Sequence, residues 1–245
     1  LHKATDFSNQ GNEVAFGTIG DASTSEGVFW ETMNAAGVLQ VPMVMSVWDD
    51  GYGISVPKEY QTLKGSISAA MAGFEKDEEG PGFLFQKAKA WNYPELIEAY
   101  QTSVAISRRE HVPVLLHIEE CTQPQGHSTS GSHERYKDKK RLQWEEKFDC
   151  LIQFRKWILK NELAEEHTLD AIEKEAKKHV KSEQKAAWEA YQSDIKKELE
   201  ELSNLLHPFP EASDALQRLQ GLIDPMRKDY LSIARRLSWE WRKAK

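Results

Sequence analysis

The stretch that decides the fold runs from Val14 to Pro57. It opens Val14-Ala15-Phe16-Gly17-Thr18-Ile19-Gly20-Asp21-Ala22-Ser23-Thr24-Ser25-Glu26-Gly27 and closes Met43-Val44-Met45-Ser46-Val47-Trp48-Asp49-Asp50-Gly51-Tyr52-Gly53-Ile54-Ser55-Val56-Pro57. Val14 to Ile19 is a short apolar, partly β-branched run, which reads as a buried strand. Ser23 and Glu26 stand at capping-box spacing, so a helix is expected from Ser25 to Leu39. Val28, Phe29, Met33, Ala36 and Leu39 make it apolar on more than one side, as for a helix packed between layers. Val41-Pro42 ends it, and Met43–Val47 reads as the next strand. Strand–helix–strand at this length is a parallel crossover.

Each strand ends on a carboxylate, Asp21 after the first and Asp50 after the second. Ligands of such sheets bind beyond the carboxyl ends of the strands. Magnesium prefers oxygen ligands and is commonly held by one or two carboxylates together with substrate phosphates. The turn from Ser23 to Glu26 would offer free N–H groups to a phosphate. Gly-Asp or Asp-Asp-Gly alone suits any tight turn; their joint occurrence in register points to a Mg²⁺-diphosphate site.

Further along, strands are expected near Phe83–Phe85 and Val114–Ile118, with helices near Ser66–Phe74 and Pro94–Glu110. The alternation makes an α/β fold with a mainly parallel sheet covered on both faces. His117 reads as a satisfied core or edge residue. His127 lies in the polar loop Thr122–Ser132 after the last strand, where function concentrates. A helical extension follows from about residue 140. One helix is expected over Leu142–Leu159 on Trp144, Phe148, Leu151, Ile152, Phe154 and Trp157. A longer one is expected over Thr168–Leu206. Its stripe (Ile172, Ala176, Val180, Trp188, Tyr191, Ile195, Leu199, Leu202, Leu206) is expected to pack back on the domain rather than form a coiled coil. His207-Pro208-Phe209-Pro210 and Asp224-Pro225 break the chain. Met226, Tyr230, Ile233, Leu237 and Trp241 form a last stripe opposite Arg227, Lys228, Arg235, Arg236, Arg242 and Lys243.

The Asp21 and Asp50 segments resemble the thiamine-diphosphate motif, Gly-Asp-Gly followed a helix and a strand later by Asn-Asn. The wording Thr24-Ser25-Glu26-Gly27 and Gly51-Tyr52-Gly53-Ile54-Ser55-Val56-Pro57 resembles the α subunit of 2-oxo acid dehydrogenase E1 components. Gly126-His127-Ser128-Thr129-Ser130, with Tyr136 after it, resembles the His-Ser loop of that family. Trp91-Asn92-Tyr93-Pro94-Glu95-Leu96 stands where the family has the segment before its last long helix. The resemblance covers roughly residues 10 to 205.

The resemblance implies thiamine diphosphate and Mg²⁺ as cofactors. Asp21, Asp50 and the Tyr52 carbonyl would hold the metal. Gly20, Ala22, Ser23, Trp48 and His127 would lie against the cofactor, with His127 the catalytic candidate. The family decarboxylates a 2-oxo acid and passes the acyl group to a lipoyl arm on E2. Expected partners are an E1 β half (separate or fused in one chain), the lipoyl domain of E2 and the 2-oxo acid, in a homo-oligomer. The wording at 54–57 and 127–130 leans toward branched-chain 2-oxo acids. Ser128 and Ser130 resemble positions phosphorylated in mitochondrial relatives, and in this chain are read as plain loop residues that order when cofactor binds. The family's activating glutamate belongs to the β half, so the isolated chain is expected to be inactive.

Three positions depart from the family pattern. Ala22 replaces the second Gly, Asp49-Asp50 replaces Asn-Asn, and Trp48 replaces an Arg. Two carboxylates without that Arg are expected to weaken diphosphate affinity. Two readings therefore stay open beside the dehydrogenase: a non-catalytic assembly module with a decayed cofactor site, and a transketolase-like enzyme. The chain starts Leu1-His2-Lys3, without Met, so a missing N-terminal part is expected. The organisation expected is a cofactor-binding α/β domain over residues 1–140, a helical extension over 141–206, and a linker and helix over 207–245 leading toward a β half.

The net charge of −7 over 245 residues argues against nucleic acid as the main partner. Cys121 and Cys150 give neither a disulfide framework nor metal-ligand spacing. No apolar run approaches ~20 residues, so no membrane span is expected. A cytoplasmic protein is the simplest expectation.

Overall fold

The computed structural model describes residues 11–78, 80–127 and 133–243. Ser128 and Ser130 lie outside them. The chain divides into two compact units, Leu1–Glu165 and Glu166–Lys245.

The first unit is α/β. Strands β1 (Ala15–Gly20), β2 (Met43–Trp48), β5 (Leu84–Lys89) and β6 (Val114–Glu119) form one parallel sheet in the order β1-β2-β6-β5. Two further strands, β3 (Tyr52–Gly53) and β4 (Val56–Pro57), make a small antiparallel hairpin just past β2. Side chains alternate across the sheet with the period of two that a strand imposes. On one face Met43 and Val47 of β2 and Leu115 of β6 pack against α1 (Gly27–Leu39) and α2 (Ile67–Ala70). On the other, Val44, Val114, Leu116 and Ile118 pack against Ala99, Leu96 and Val104 of α3 (Tyr93–Glu110). Both faces are covered, as the alternation of elements implies.

Several boundaries differ from the sequence reading. No capping box forms. Thr24 takes that place, donating its Oγ1 to the Asp21 carbonyl at 2.5 Å within a 3₁₀ turn over Ala22–Ser25, and α1 starts only at Gly27. Helix α1 buries one face (Phe29, Met33, Ala36, Gly37) and leaves Val28, Val38 and Leu39 exposed, so it is not enclosed on all sides. Ser66–Phe74 holds only the single turn α2 followed by 3₁₀ backbone. The helix expected over Leu142–Leu159 is two, α4 (Lys139–Lys147) and α5 (Cys150–Lys160). Asp149 causes the break: its Oδ1 accepts the N–H groups of Leu151 and Ile152 at 3.0 Å each, which stabilises a helix start rather than a continuing helix.

The second unit comprises α6 (Glu166–Leu206), α7 (Ser213–Gln220) and α8 (Arg227–Lys243), with chain breaks at the two Pro-containing segments. Ile195, Leu206, Ala215, Leu219, Tyr230 and Leu237 form its core, with Ile233 and Trp241 packed against it. Only the second half of the α6 stripe is covered. Ile172, Val180, Trp188 and Tyr191 are exposed, against the expectation that the whole stripe packs back. A 41-residue helix is about 60 Å long, far beyond what α7 and α8 can cover. No helix among the described residues is long and apolar enough to cross a membrane.

Candidate functional site

Register brings the site together. Gly20 of β1 pairs with Trp48 of β2, and Trp48 pairs with Ile118 of β6, so three strands end level. The chain stays stitched one step further. Asp21 N–H donates to the Trp48 carbonyl at 3.0 Å, Asp49 N–H to Ile118 at 2.9 Å, and Cys121 N–H to Asp49 at 2.9 Å. The loops leaving these ends line one cavity of about 650 Å³. Gly20, Asp21, Ala22, Ser23, Trp48, Asp50, Tyr52 and His127 all face it. Glu26, Gly53, Ile54, Gln61, Cys121, Thr122 and Gln123 complete the wall; of these the sequence reading had used Glu26, Gly53 and Ile54 but named none of the seven as a site residue. Cys121 was within reach of that reasoning, because it follows the end of a parallel strand as Asp21 does.

Asp21 is 5 % exposed, and its Oδ2 has no hydrogen-bond partner. Burial, reinforced by the negative charges of Asp49 and Asp50, pushes its carboxyl up to about 7. A buried carboxylate oxygen without a donor is costly unless something positive meets it. Asp50 directs Oδ1 to the Tyr52 N–H at 3.0 Å. Burial raises its carboxyl too, opposed by that N–H and by Lys137 and Arg141. Gly51, at φ +83°, supplies the left-handed turn between them. Trp48 is half exposed, an apolar wall where the family pattern has an Arg.

Asp49 has a different place from the one its neighbour suggests. It is 2 % exposed and does not face the cavity. Its Oδ1 accepts the Gly51 N–H at 2.9 Å; its Oδ2 accepts Lys58 Nζ at 2.7 Å and lies 3.0 Å from His117 Nε2. Burial works to raise its carboxyl, yet the bonds from His117 and Lys58 outweigh burial and hold it below the usual range. Lys58 and His117 thus offset part of the negative charge that Asp49 brings beside Asp21, and leave that of Asp50 in place. His117 is fully buried, and its Nδ1 lies 2.9 Å from Ser68 Oγ.

A buried ion cluster holds the Asp50 turn from the other side. Lys137 meets both Glu145 oxygens at 2.8 and 2.9 Å, and Arg141 Nε meets Glu145 at 2.8 Å. Arg141 Nη2 donates to the Asp50 carbonyl at 2.7 Å, while Lys137 donates to the Gln123 carbonyl at 3.3 Å. Both cations lie over the Tyr52 ring. The cluster thus ties the turn after β2 to the loop after β6 that carries His127.

Among the described residues, no three His, Cys, Asp or Glu side chains gather to hold a metal. The set read from the sequence is smaller, two carboxylates and one main-chain carbonyl. The orphaned Asp21 oxygen fits a hard cation, because such a cation would supply the missing partner and keep the carboxylate ionised.

Comparison with known proteins decides the family. A family model, dehydrogenase E1 component, matches residues 4–196. The chain belongs to the dehydrogenase E1 component family. It is 25% identical over 173 residues to the pyruvate dehydrogenase E1 component subunit alpha of Rickettsia bellii, covering 71% of this chain and 50% of that one. It is 28% identical over 184 residues to the protein of the same name from Staphylococcus epidermidis, covering 72% and 46%. It is 25% identical over 202 residues to the mitochondrial 2-oxoisovalerate dehydrogenase subunit alpha 2 of Arabidopsis thaliana, covering 82% and 40%. The chain spans about half the length, or less, of these E1 relatives.

Proposed function

We propose that this chain is the α portion of an E1 component that decarboxylates a 2-oxo acid and transfers the acyl group to a lipoyl group on E2. The reading rests on Asp21, which lines the same cavity as Asp50 and whose buried Oδ2 has no hydrogen-bond partner, in a member of the E1 family. Asp21, Asp50 and the Tyr52 carbonyl would hold Mg²⁺. Gly20, Ala22 and Ser23 would bring main chain to the diphosphate side, and Trp48 would lend an apolar wall. His127, at the cavity, is the candidate to hold or move a proton near the substrate. Thiamine diphosphate, when bound, supplies the electron sink for decarboxylation.

The surface supports a protein partner. Phe16, Val28, Val38, Leu39, Tyr60 and Leu63 are exposed in the first unit, apolar surface that a partner would cover. A β half, the lipoyl domain and a homo-oligomeric assembly are the partners this reading implies, in the cytoplasm. For substrate, a branched-chain 2-oxo acid is favoured by the wording at 54–57 and 127–130.

Decarboxylation assays with thiamine diphosphate and Mg²⁺ test the reading, comparing pyruvate with 3-methyl-2-oxobutanoate. Turnover is expected when the chain is joined or mixed with its β half, faster on the branched acid, and none from this chain alone. Turnover by this chain alone, or none with the β half, would contradict it.

A further inference from the structure

The Asp-Asp pair poses a problem that any reading of this site as a diphosphate site has to meet. Two adjacent carboxylates stand beside a cavity meant for an anion, and the neighbouring Trp48 brings no positive charge. The structure offers a specific remedy. Lys58 holds the Asp49 turn twice: its backbone N–H donates to the Gly51 carbonyl at 2.9 Å, and its Nζ donates to Asp49 Oδ2 at 2.7 Å. His117 Nε2 lies 3.0 Å from the same oxygen, its Nδ1 held at 2.9 Å by Ser68 of α2. Both Asp49 oxygens are thereby committed, one to the Gly51 N–H and one to Lys58 and His117. The Lys58 side chain is 34 % exposed while the Asp49 side chain is 2 % exposed, so the pair sits at the rim of the interior, where screening by water is partial.

We propose that Lys58, backed by His117, is the charge-compensating and positioning residue of this site. It turns the Asp49 carboxylate away from the cavity and offsets part of its charge, so that of the Asp-Asp pair only Asp50 joins Asp21 in facing a cation-bound diphosphate. The inference deepens the cofactor-site reading and rests on it. It assigns a role to a residue outside both sequence motifs. Its effect would pass through Asp49, so Lys58 is a positioning residue and touches no cofactor itself.

The test is calorimetric titration of thiamine diphosphate with Mg²⁺ into the full-length gene product and into Lys58→Met, Lys58→Arg and the double variant Lys58→Met/Asp49→Asn. Wild type is expected to bind. Lys58→Met should bind about tenfold more weakly, as expected for loss of one partner of a partly buried charge pair. Lys58→Arg should stay near wild type, and the double variant should recover most of the loss, because it also removes the charge left uncompensated. Recovery separates charge compensation from a purely structural role, for which the second substitution would restore nothing. Should Lys58→Met lose its native thermal transition, Lys58→Gln, which removes the charge and keeps a hydrogen-bonding group, is read in its place. Wild-type binding with unchanged affinity in Lys58→Met, or a double variant as weak as the single, would overturn the role of Lys58 and leave the cofactor site standing. No binding by folded wild type would overturn both.

Discussion

Asp21 is ionisable, and water does not reach one of its oxygens. Its carboxyl lies near 7 in the fold against 3.8 for an unperturbed aspartate, so the folded chain keeps a proton that the unfolded chain has released between those values. Stability of the cation-free protein therefore falls as pH rises from 3.8 toward 7 and levels off above it. Thermal melts in the presence of chelator should show this contribution as the part of the slope lost in Asp21→Asn, and added Mg²⁺ should stabilise wild type most at pH above 7. Equal slopes in wild type and variant would contradict it. Asp21 and Asp50 were legible because each follows a strand within a few residues. The role of Asp49 was not, because its partners Lys58 and His117 stand 9 and 68 positions away and meet it only in the fold.

Elements carry the site by ending level. Four parallel strands were legible from short apolar runs alternating with helices, but only the central β2 and β6 are largely buried; the edge strand β1, read as buried, is mostly exposed. β5 runs on to Lys89, past the expected Phe85, because its far end carries Gln86 and Lys87 that no apolar pattern marks. The division of Leu142–Leu159 was hidden by an unbroken apolar stripe that one capping side chain overrides. Helix α4 matters more than its length suggests, since Glu145 holds Lys137 and Arg141, and Arg141 holds the Asp50 carbonyl. Glu145→Ala would leave a buried cation unpaired. It should destabilise the protein by about 3–5 kcal/mol in urea denaturation, with weaker cofactor binding in whatever remains folded. A loss under 1 kcal/mol, the range of exposed pairs, would show that the cluster does not hold the turn.

At the scale of the molecule, the chain joins an α/β unit that carries the candidate site to a helical unit with its own core. Both Pro-containing breaks in the helical unit were legible, as was the α8 stripe; the length of α6 left bare was not, because periodicity shows which face is apolar and not what covers it. Leu219 is 1 % exposed at the centre of that second core. Leu219→Ala should lower the stability of the helical unit by about 2–5 kcal/mol, read as loss of helical circular dichroism at lower denaturant. An unchanged transition would mean that the second core contributes little. The central claim concerns the first unit, and one measurement meets it directly: calorimetric titration of thiamine diphosphate, with and without Mg²⁺, into the full-length gene product and its Asp21→Ala and Asp50→Ala variants. Mg²⁺-dependent binding to wild type that is lost in both folded variants is the predicted result. Binding that survives both substitutions undiminished, or no binding by folded wild type, would contradict the assignment of this carboxylate pair.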